Sequence, residues 1–205
     1  MRYSRAVTTL LAAGSAVFAA GCLGCLVALH LLPTGRSATR NAVSEYGVGR
    51  YAWLYRAQAA LLGIAGILLA LALRNGVPAV STRVVVELVV FGLARIAIGW
   101  YPTDLIGSRE RTRTGLIHVV LAIVAFAAIS FAAIHLGREL GDVAGWAGVC
   151  RVIRALGWLM VVTAVGTTVA IRVPQLRPWV GLVERGFYAA ALTFFFVTTI
   201  ALATR

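Results

Sequence analysis

The side chains of this sequence that could do chemistry are a few ionisable groups in or beside long apolar segments. They are three acids, three arginines and one histidine: Glu45, Asp104, Glu184, Arg56, Arg95, Arg185 and His118. Ionisable groups are costly inside a bilayer and persist mainly where they face protein or a water-filled cavity. Because acids and arginines are equal in number, we expect them to converge in a cleft at one membrane face and to pair with one another.

The arginines point to a binding site for an anionic lipid head group. A guanidinium matches the geometry of phosphate and donates several hydrogen bonds to it. The predicted ligand-binding residues are Ser44, Arg56, Arg95, Glu184, Arg185 and Tyr188. The predicted partner is therefore a membrane lipid.

A second interpretation is catalytic. Asp104 or Glu45, together with His118, would form an acid/base couple for hydrolysis or transfer on a lipid-type substrate, since histidine titrates nearest to neutrality. A third interpretation needs no ligand, because ion pairs and snorkelling side chains near head groups are ordinary structural features. These three interpretations remain open at the level of sequence.

No metal or cofactor is predicted. His30 and His135 lack ligand spacing relative to His118, and nucleophile-elbow, phosphate-loop and HExxH motifs are missing. The three cysteines are an odd number without metal-type spacing, and we interpret them as small packed residues.

Composition determines which elements must position these residues. Of 205 residues, 60% are apolar and 13% are charged, which excludes an ordinary soluble domain and a disordered chain. The formal charge is +12, and every basic residue is arginine. These arginines are scattered among the breaks between apolar segments, so the phosphate layer of a membrane is the expected partner and nucleic acid is not.

Six apolar segments are long enough, or nearly so, to cross a bilayer. They lie at about 6–32, 52–73, 81–101, 115–136, 150–171 and 180–203. Backbone groups in lipid must be hydrogen-bonded internally, which favours helices. The sequence therefore predicts an all-α, multi-pass bundle of six transmembrane helices with short loops, forming one domain over 1–205. We interpret the first segment as an uncleaved helix rather than a signal peptide, because it stays apolar for too long.

Small residues bear on helix packing. Ala20, Gly24 and Ala28 have the spacing that lets helix backbones approach each other. We expect them to pack inside the bundle, with contact to a second copy or to another membrane protein as the alternative. A small-solute transporter is disfavoured, because polar residues do not continue through the membrane centre.

Four short motifs resemble the bacterial and archaeal membrane family called domain of unknown function 998. They are SEYG at 44–47, YPTD at 101–104, the histidine at 118 and GLVER at 181–185. The resemblance covers nearly the whole chain. It implies a multi-spanning membrane protein and no particular reaction. It also implies that the characteristic polar positions of the family are Glu45, Asp104, His118, Glu184 and Arg185, whereas Arg56 and Arg95 come from this chain alone.

Orientation is poorly determined by charge. Eight arginines fall on each side of the predicted topology, so the positive-inside rule gives a tie. Arg2 and Arg5 precede the first helix and favour cytoplasmic termini. The expected location is the inner membrane of a bacterial cell.

Overall fold

The computed structural model describes residues 5–108 and 110–204, and within these ranges the regular structure is entirely helical. Six long helices follow one another: α1 (Arg5–Leu31), α2 (Ala52–Gly76), α3 (Thr82–Ile98), α4 (Arg113–Glu139), α5 (Ala147–Arg172) and α6 (Val180–Ala203). Two short 3₁₀ helices lie at Val43–Gly47 and Pro174–Trp179. The predicted all-α, six-helix architecture is confirmed.

Five of the six helices are long and apolar enough to cross a membrane: α1, α2, α4, α5 and α6 with the 3₁₀ turn before it. Helix α3 has 17 residues and is the shortest. Its start is set by Ser81, whose hydroxyl accepts a hydrogen bond from the Val84 backbone N–H. Its end comes shortly before Pro102, which disfavours helix in the residue that precedes it. The protein is a multi-pass helical bundle.

The helices form a closed ring in chain order. Each helix packs against the next, and α6 packs back against α1. Because the connections are short, neighbours run antiparallel. We call the end that holds the first, third and fifth connections the cleft end, since a cavity opens there, and the other the packed end.

Glycines allow the closest helix contacts. A Cβ atom added to Gly63 of α2 would lie 2.5 Å from the Gly92 carbonyl oxygen of α3. On α5, a Cβ added to Gly157 would lie 2.7 Å from Ile134 of α4. Such separations exclude any larger side chain without a backbone shift. The α2–α3 and α4–α5 interfaces therefore require glycine at these two positions.

Two of the three small residues of the predicted α1 stripe do not pack inside the bundle. Ala20 and Gly24 are exposed, and nothing lies within 4 Å of a Cβ added to Gly24. The buried face of α1 contains Ala19 and Cys22 instead. The expectation of internal packing is therefore wrong for Ala20 and Gly24, because this helix turns a different face inward, whereas Ala28 is half-buried against the core.

Candidate functional site

A cavity of about 510 Å³ lies between α4, α5 and α6 at the cleft end. The part of its wall that extends from the mouth toward the packed end comes from α4 and α5 and is mostly apolar. Its apolar residues are Val119, Ala122, Ile123, Phe126, Ala127, Phe131, Val161, Ala164 and Val165. Ile123 and Val165 are also exposed on the outside of the bundle, at 61% and 57%. The cavity is therefore a cleft that opens sideways, toward the lipid-facing surface.

The cleft exists because α4 and α5 are in close contact only toward the packed end. There, Gly137 of α4 faces Arg154 of α5, and Gly157 of α5 faces Ile134 and Ser130 of α4. Nearer the cleft end, the same two helices form opposite walls of the cavity. The segment 103–108 together with Arg111 borders the mouth.

Arg95 lies in the polar wall of the cleft and is only 2% exposed. Its Nη2 donates a hydrogen bond to Gln58 Oε1 at 3.2 Å, and its guanidinium lies 5.5 Å from the centre of the Tyr188 ring. Its Nε has no hydrogen-bond partner. No salt bridge joins Arg95 to a carboxylate among the residues described.

Glu184 lines the same wall from α6 and is 5% exposed. Its Oε2 accepts a hydrogen bond from the Val43 backbone N–H at 2.7 Å. Tyr188, one helical turn further along α6, also lines the cleft. Glu184 therefore holds the first connection in place and at the same time presents a carboxyl group to the cavity.

His118 lines the cleft from α4 and is 3% exposed. Its Nδ1–H donates a hydrogen bond to the Tyr101 carbonyl oxygen at 2.6 Å. Its ring stacks on Tyr55, with centroids 6.3 Å apart. Because the Nδ1 atom carries the proton, the neutral ring leaves Nε2 as a hydrogen-bond acceptor.

Glu45 ties two connections together and does not line the cleft. It is 2% exposed, and its Oε2 accepts from Asn41 Nδ2 at 2.7 Å. Its Oε1 accepts from the Ile106 backbone N–H at 2.9 Å. Oε2 therefore stabilises the first connection itself, and Oε1 joins it to the third.

Asp104 lines the cleft but is used in positioning the start of α4. Its carboxylate accepts from the Thr112 hydroxyl at 2.7 Å and from the Thr112 backbone N–H at 3.0 Å. These two donors hold the pKa of the Asp104 carboxyl below its ordinary value. Gly115 lies against the same carboxylate and leaves no room for a side chain. Neither predicted catalytic acid is therefore free of structural hydrogen bonds.

Arg185 is also used structurally. Its Nε donates to His30 Nε2 at 2.5 Å, and its Nη1 donates to the carbonyl oxygens of Asn41 and Gly181, both at 2.9 Å. Its Nη2 donates to the Tyr46 hydroxyl at 3.0 Å. Since Arg185 does not line the cleft, it anchors the first connection on α6.

The structure corrects two expectations about the charged residues. The predicted clamp of three arginines does not form, since Arg56 is exposed outside the cleft and Arg185 is bound to its neighbours. The expected mutual ion pairs are also missing, because no salt bridge among the described residues joins any of the six. Ser44, Arg95, Asp104, His118, Glu184 and Tyr188 do come together around the cleft.

Sequence reasoning missed several cleft residues. Arg111, Arg172 and Arg177 line the mouth and are exposed. Gln58 of α2 accepts a hydrogen bond from the guanidinium of Arg95. A signal for Gln58 was present, since an amide inside an apolar transmembrane helix is costly unless hydrogen-bonded. Nothing in the sequence separates the three mouth arginines from the other arginines in connections.

The fold and the cleft define a class: a multi-pass helical membrane protein with a laterally open, amphipathic cavity. The chain belongs to the family described as "Protein of unknown function (DUF998)", whose model matches residues 12–201. The predicted family membership is thereby confirmed. No curated protein and no solved structure matches the chain.

Proposed function

We propose that this protein binds a membrane lipid in the cleft, with an acyl or isoprenoid chain between α4 and α5 and the head group at the cleft end. The observation that carries this proposal is the amphipathic form of the cavity. Toward the packed end its walls are apolar apart from the Ser130 hydroxyl, which donates to the Phe126 carbonyl oxygen, and its charged side chains gather toward the cleft end. An acyl or isoprenoid chain bound there would replace its contacts with neighbouring lipids by contacts with the protein. Its head group would lie against hydrogen-bonding side chains.

The dimensions support a lipid chain. From His118 to Phe131 the cleft follows α4 for about 20 Å, at 1.5 Å per residue. One leaflet of a bilayer has a hydrocarbon thickness of about 15 Å. Arg111, Arg172 and Arg177 at the mouth match the negative charge of lipid phosphates near the membrane surface.

We place the protein in the inner membrane of a bacterial cell, with both termini cytoplasmic. In this orientation the cleft opens in the outer leaflet of that membrane. The exposed pair Ala20 and Gly24, with the half-buried Ala28 beside them, is where we expect contact with a second copy or another membrane protein. Cysteines introduced at Ser44 and Ala79 and labelled from each side test the orientation: labelling of both from one side would contradict it.

Filling the cleft tests lipid binding. In Ala164→Phe, the added ring occupies the space between α4 and α5, whereas in the matched control Ala189→Phe it lies on an exposed face of α6. We expect native mass spectrometry of the gently purified protein to show bound lipid on the wild type and the control. The cleft variant should lose about nine-tenths of this signal at unchanged thermal stability. Equal lipid signals on all three proteins would contradict the proposal.

A second candidate function is a lipid hydrolase, favoured by the anchored His118. With Nδ1–H held by the Tyr101 carbonyl, Nε2 would accept a proton from water attacking a lipid ester, giving a free acid and an alcohol. The test is product formation by the purified protein in liposomes, followed by mass spectrometry. Products from the wild type that vanish in His118→Gln would support catalysis, and no products from the wild type would exclude it for that lipid.

A further inference from the structure

Arg95 is a buried cation whose hydrogen-bonding capacity is only partly used. Its described partners, Gln58 Oε1 and the side chains of Tyr188 and Tyr55, are all uncharged, and its Nε is unpartnered. A buried charge without a counter-charge is strongly destabilising. Arg95 itself lines the cleft, so its guanidinium is the cation that an anionic group bound there would meet.

Glu184 presents a carboxyl group to the same cavity at a similar depth. Arg95 lies three residues before the end of α3, and Glu184 lies four residues after the start of α6. Each is therefore about 5–6 Å below its helix end at the cleft end. Both line the cavity next to Tyr188, yet no salt bridge joins them. Glu184 uses Oε2 for Val43, and its Oε1 accepts no hydrogen bond from any described residue.

From this juxtaposition we infer that the cleft recognises a zwitterionic lipid head group, with its phosphate on Arg95 and its N–H-bearing ammonium on Glu184. This inference rests on the proposed function and names the class of lipid. A cation and an anion that face one cavity without pairing are complementary to a ligand that carries both charges. A head group of this kind would neutralise both buried groups at once.

The other charged groups near the cleft fit this arrangement less well. Arg111, Arg172 and Arg177 are exposed at the mouth, where water and salt weaken their attraction for phosphate. Asp104 already accepts two hydrogen bonds from Thr112. His118 offers a neutral acceptor, which is compatible with an ammonium nearby. Arg95 and Glu184 are therefore the pair that distinguishes head groups.

The experiment compares phosphatidylethanolamine, phosphatidylcholine and phosphatidylglycerol with identical acyl chains. Each is titrated onto delipidated full-length protein in detergent, and binding is measured by native mass spectrometry. We expect phosphatidylethanolamine to bind about tenfold more tightly than either of the others, the effect of one charge-assisted hydrogen bond. Phosphatidylcholine lacks N–H donors, and phosphatidylglycerol lacks the cation. Inorganic phosphate is added as a competitor, and no displacement is expected.

Substitutions of Glu184 and Arg95 test which residue binds which charge of the head group. Glu184→Gln keeps an acceptor for the Val43 N–H, and we expect it to remove the preference for phosphatidylethanolamine over phosphatidylcholine. Arg95→Gln should weaken all three lipids about tenfold. Arg95→Lys keeps the positive charge and serves as a second variant if Arg95→Gln does not fold. We expect Arg95→Lys to weaken lipid binding less than Arg95→Gln. Arg172→Gln tests the mouth as the alternative phosphate site and should weaken binding less than the Arg95 variants, whereas the matched control Arg56→Gln, exposed outside the cleft, should keep the wild-type order.

Each failure has its own signature. If no lipid binds the wild type, the proposed function itself is wrong. If all three head groups bind equally and Glu184→Gln changes nothing, the head-group inference is overturned while lipid binding stands. A larger loss in Arg172→Gln than in the Arg95 variants would place the phosphate at the mouth, and displacement by inorganic phosphate would identify a free anion as the ligand. Either result overturns the inference.

Discussion

At the packed end of the bundle α4 and α5 are in contact through glycines, whereas at the cleft end the same helices are the two walls of a cavity. Gly137 and Gly157 leave no space for a Cβ atom where the helices touch. Toward the cleft end, Phe126 of α4 and Val165 of α5 line the cavity instead. A single helix pair therefore combines close packing at one end with a binding space at the other.

The two ends also differ in the partners of their charged groups. At the packed end, Glu87 accepts from His135 at 2.9 Å and from Arg83 at 3.2 Å. Glu139 there accepts from the Ser81 backbone N–H at 2.9 Å and from its hydroxyl at 2.6 Å. At the cleft end, Arg95 has no ionic partner in the described structure. Glu45, Asp104 and Arg185 at the cleft end are also held by hydrogen bonds, so the difference between the two ends rests on Arg95, which lines the cavity with an unpartnered Nε.

The largest expected effect comes from breaking the glycine contact. In Gly157→Leu, the new Cβ atom would lie 2.7 Å from Ile134 Cγ1 and 3.1 Å from the Ser130 carbonyl oxygen. We expect a cost of about 3 kcal/mol or more, since overpacking displaces the backbone. The measurement is the thermal unfolding midpoint in detergent. Gly24→Leu on the exposed face of α1 is the control and should change the midpoint little; equal shifts in both would refute the comparison.

A smaller change in stability, and not a loss, is expected when Arg95 is replaced. Replacing this unpaired buried cation by an apolar chain, as in Arg95→Met, should leave the free energy of unfolding of the delipidated protein within about 1 kcal/mol of wild type, or raise it. The counterpart at the packed end, Glu87→Met, leaves His135 and Arg83 without their acceptor and should destabilise the protein. Denaturant unfolding of both variants measures this. A greater loss in Arg95→Met than in Glu87→Met would show that Arg95 serves stability.

The smallest effect concerns Asp104. Thr112 lowers the pKa of this carboxyl, so the ionised form stabilises the start of α4. A lowered folded-state pKa means that this stability is present above the ordinary value of 3.8 and is lost as the pH falls through the lowered value. Hydrogen exchange of the 104–115 segment should therefore become less protected on acidification. Asp104→Asn should show little of this pH dependence, and an identical pH profile in both proteins would contradict the assignment.

Particular residues show how far the sequence could predict the site. Arg56 and Arg95 both lie in or near apolar helices, yet one is exposed and the other is 2% exposed. Periodicity does not separate them, because in a membrane bundle both the lipid-facing and the inward-facing sides of a helix are apolar. Arg185 donates to the Gly181 carbonyl oxygen one turn back in α6 and to three groups far away in sequence: His30, the Asn41 carbonyl oxygen and the Tyr46 hydroxyl. The three distant contacts form only when α6 packs against α1 and the first connection.

The sequence by itself determined that this is a helical, multi-pass membrane protein of a recognisable family with polar residues near one end. The physical reason is that apolar segments of this length can satisfy their backbone groups in lipid only as helices. Tertiary structure alone decided which charged residues face a cavity and which are tied to neighbouring loops. That choice depends on the rotation of each helix within the ring and on where α4 and α5 touch, and both result from packing between distant segments.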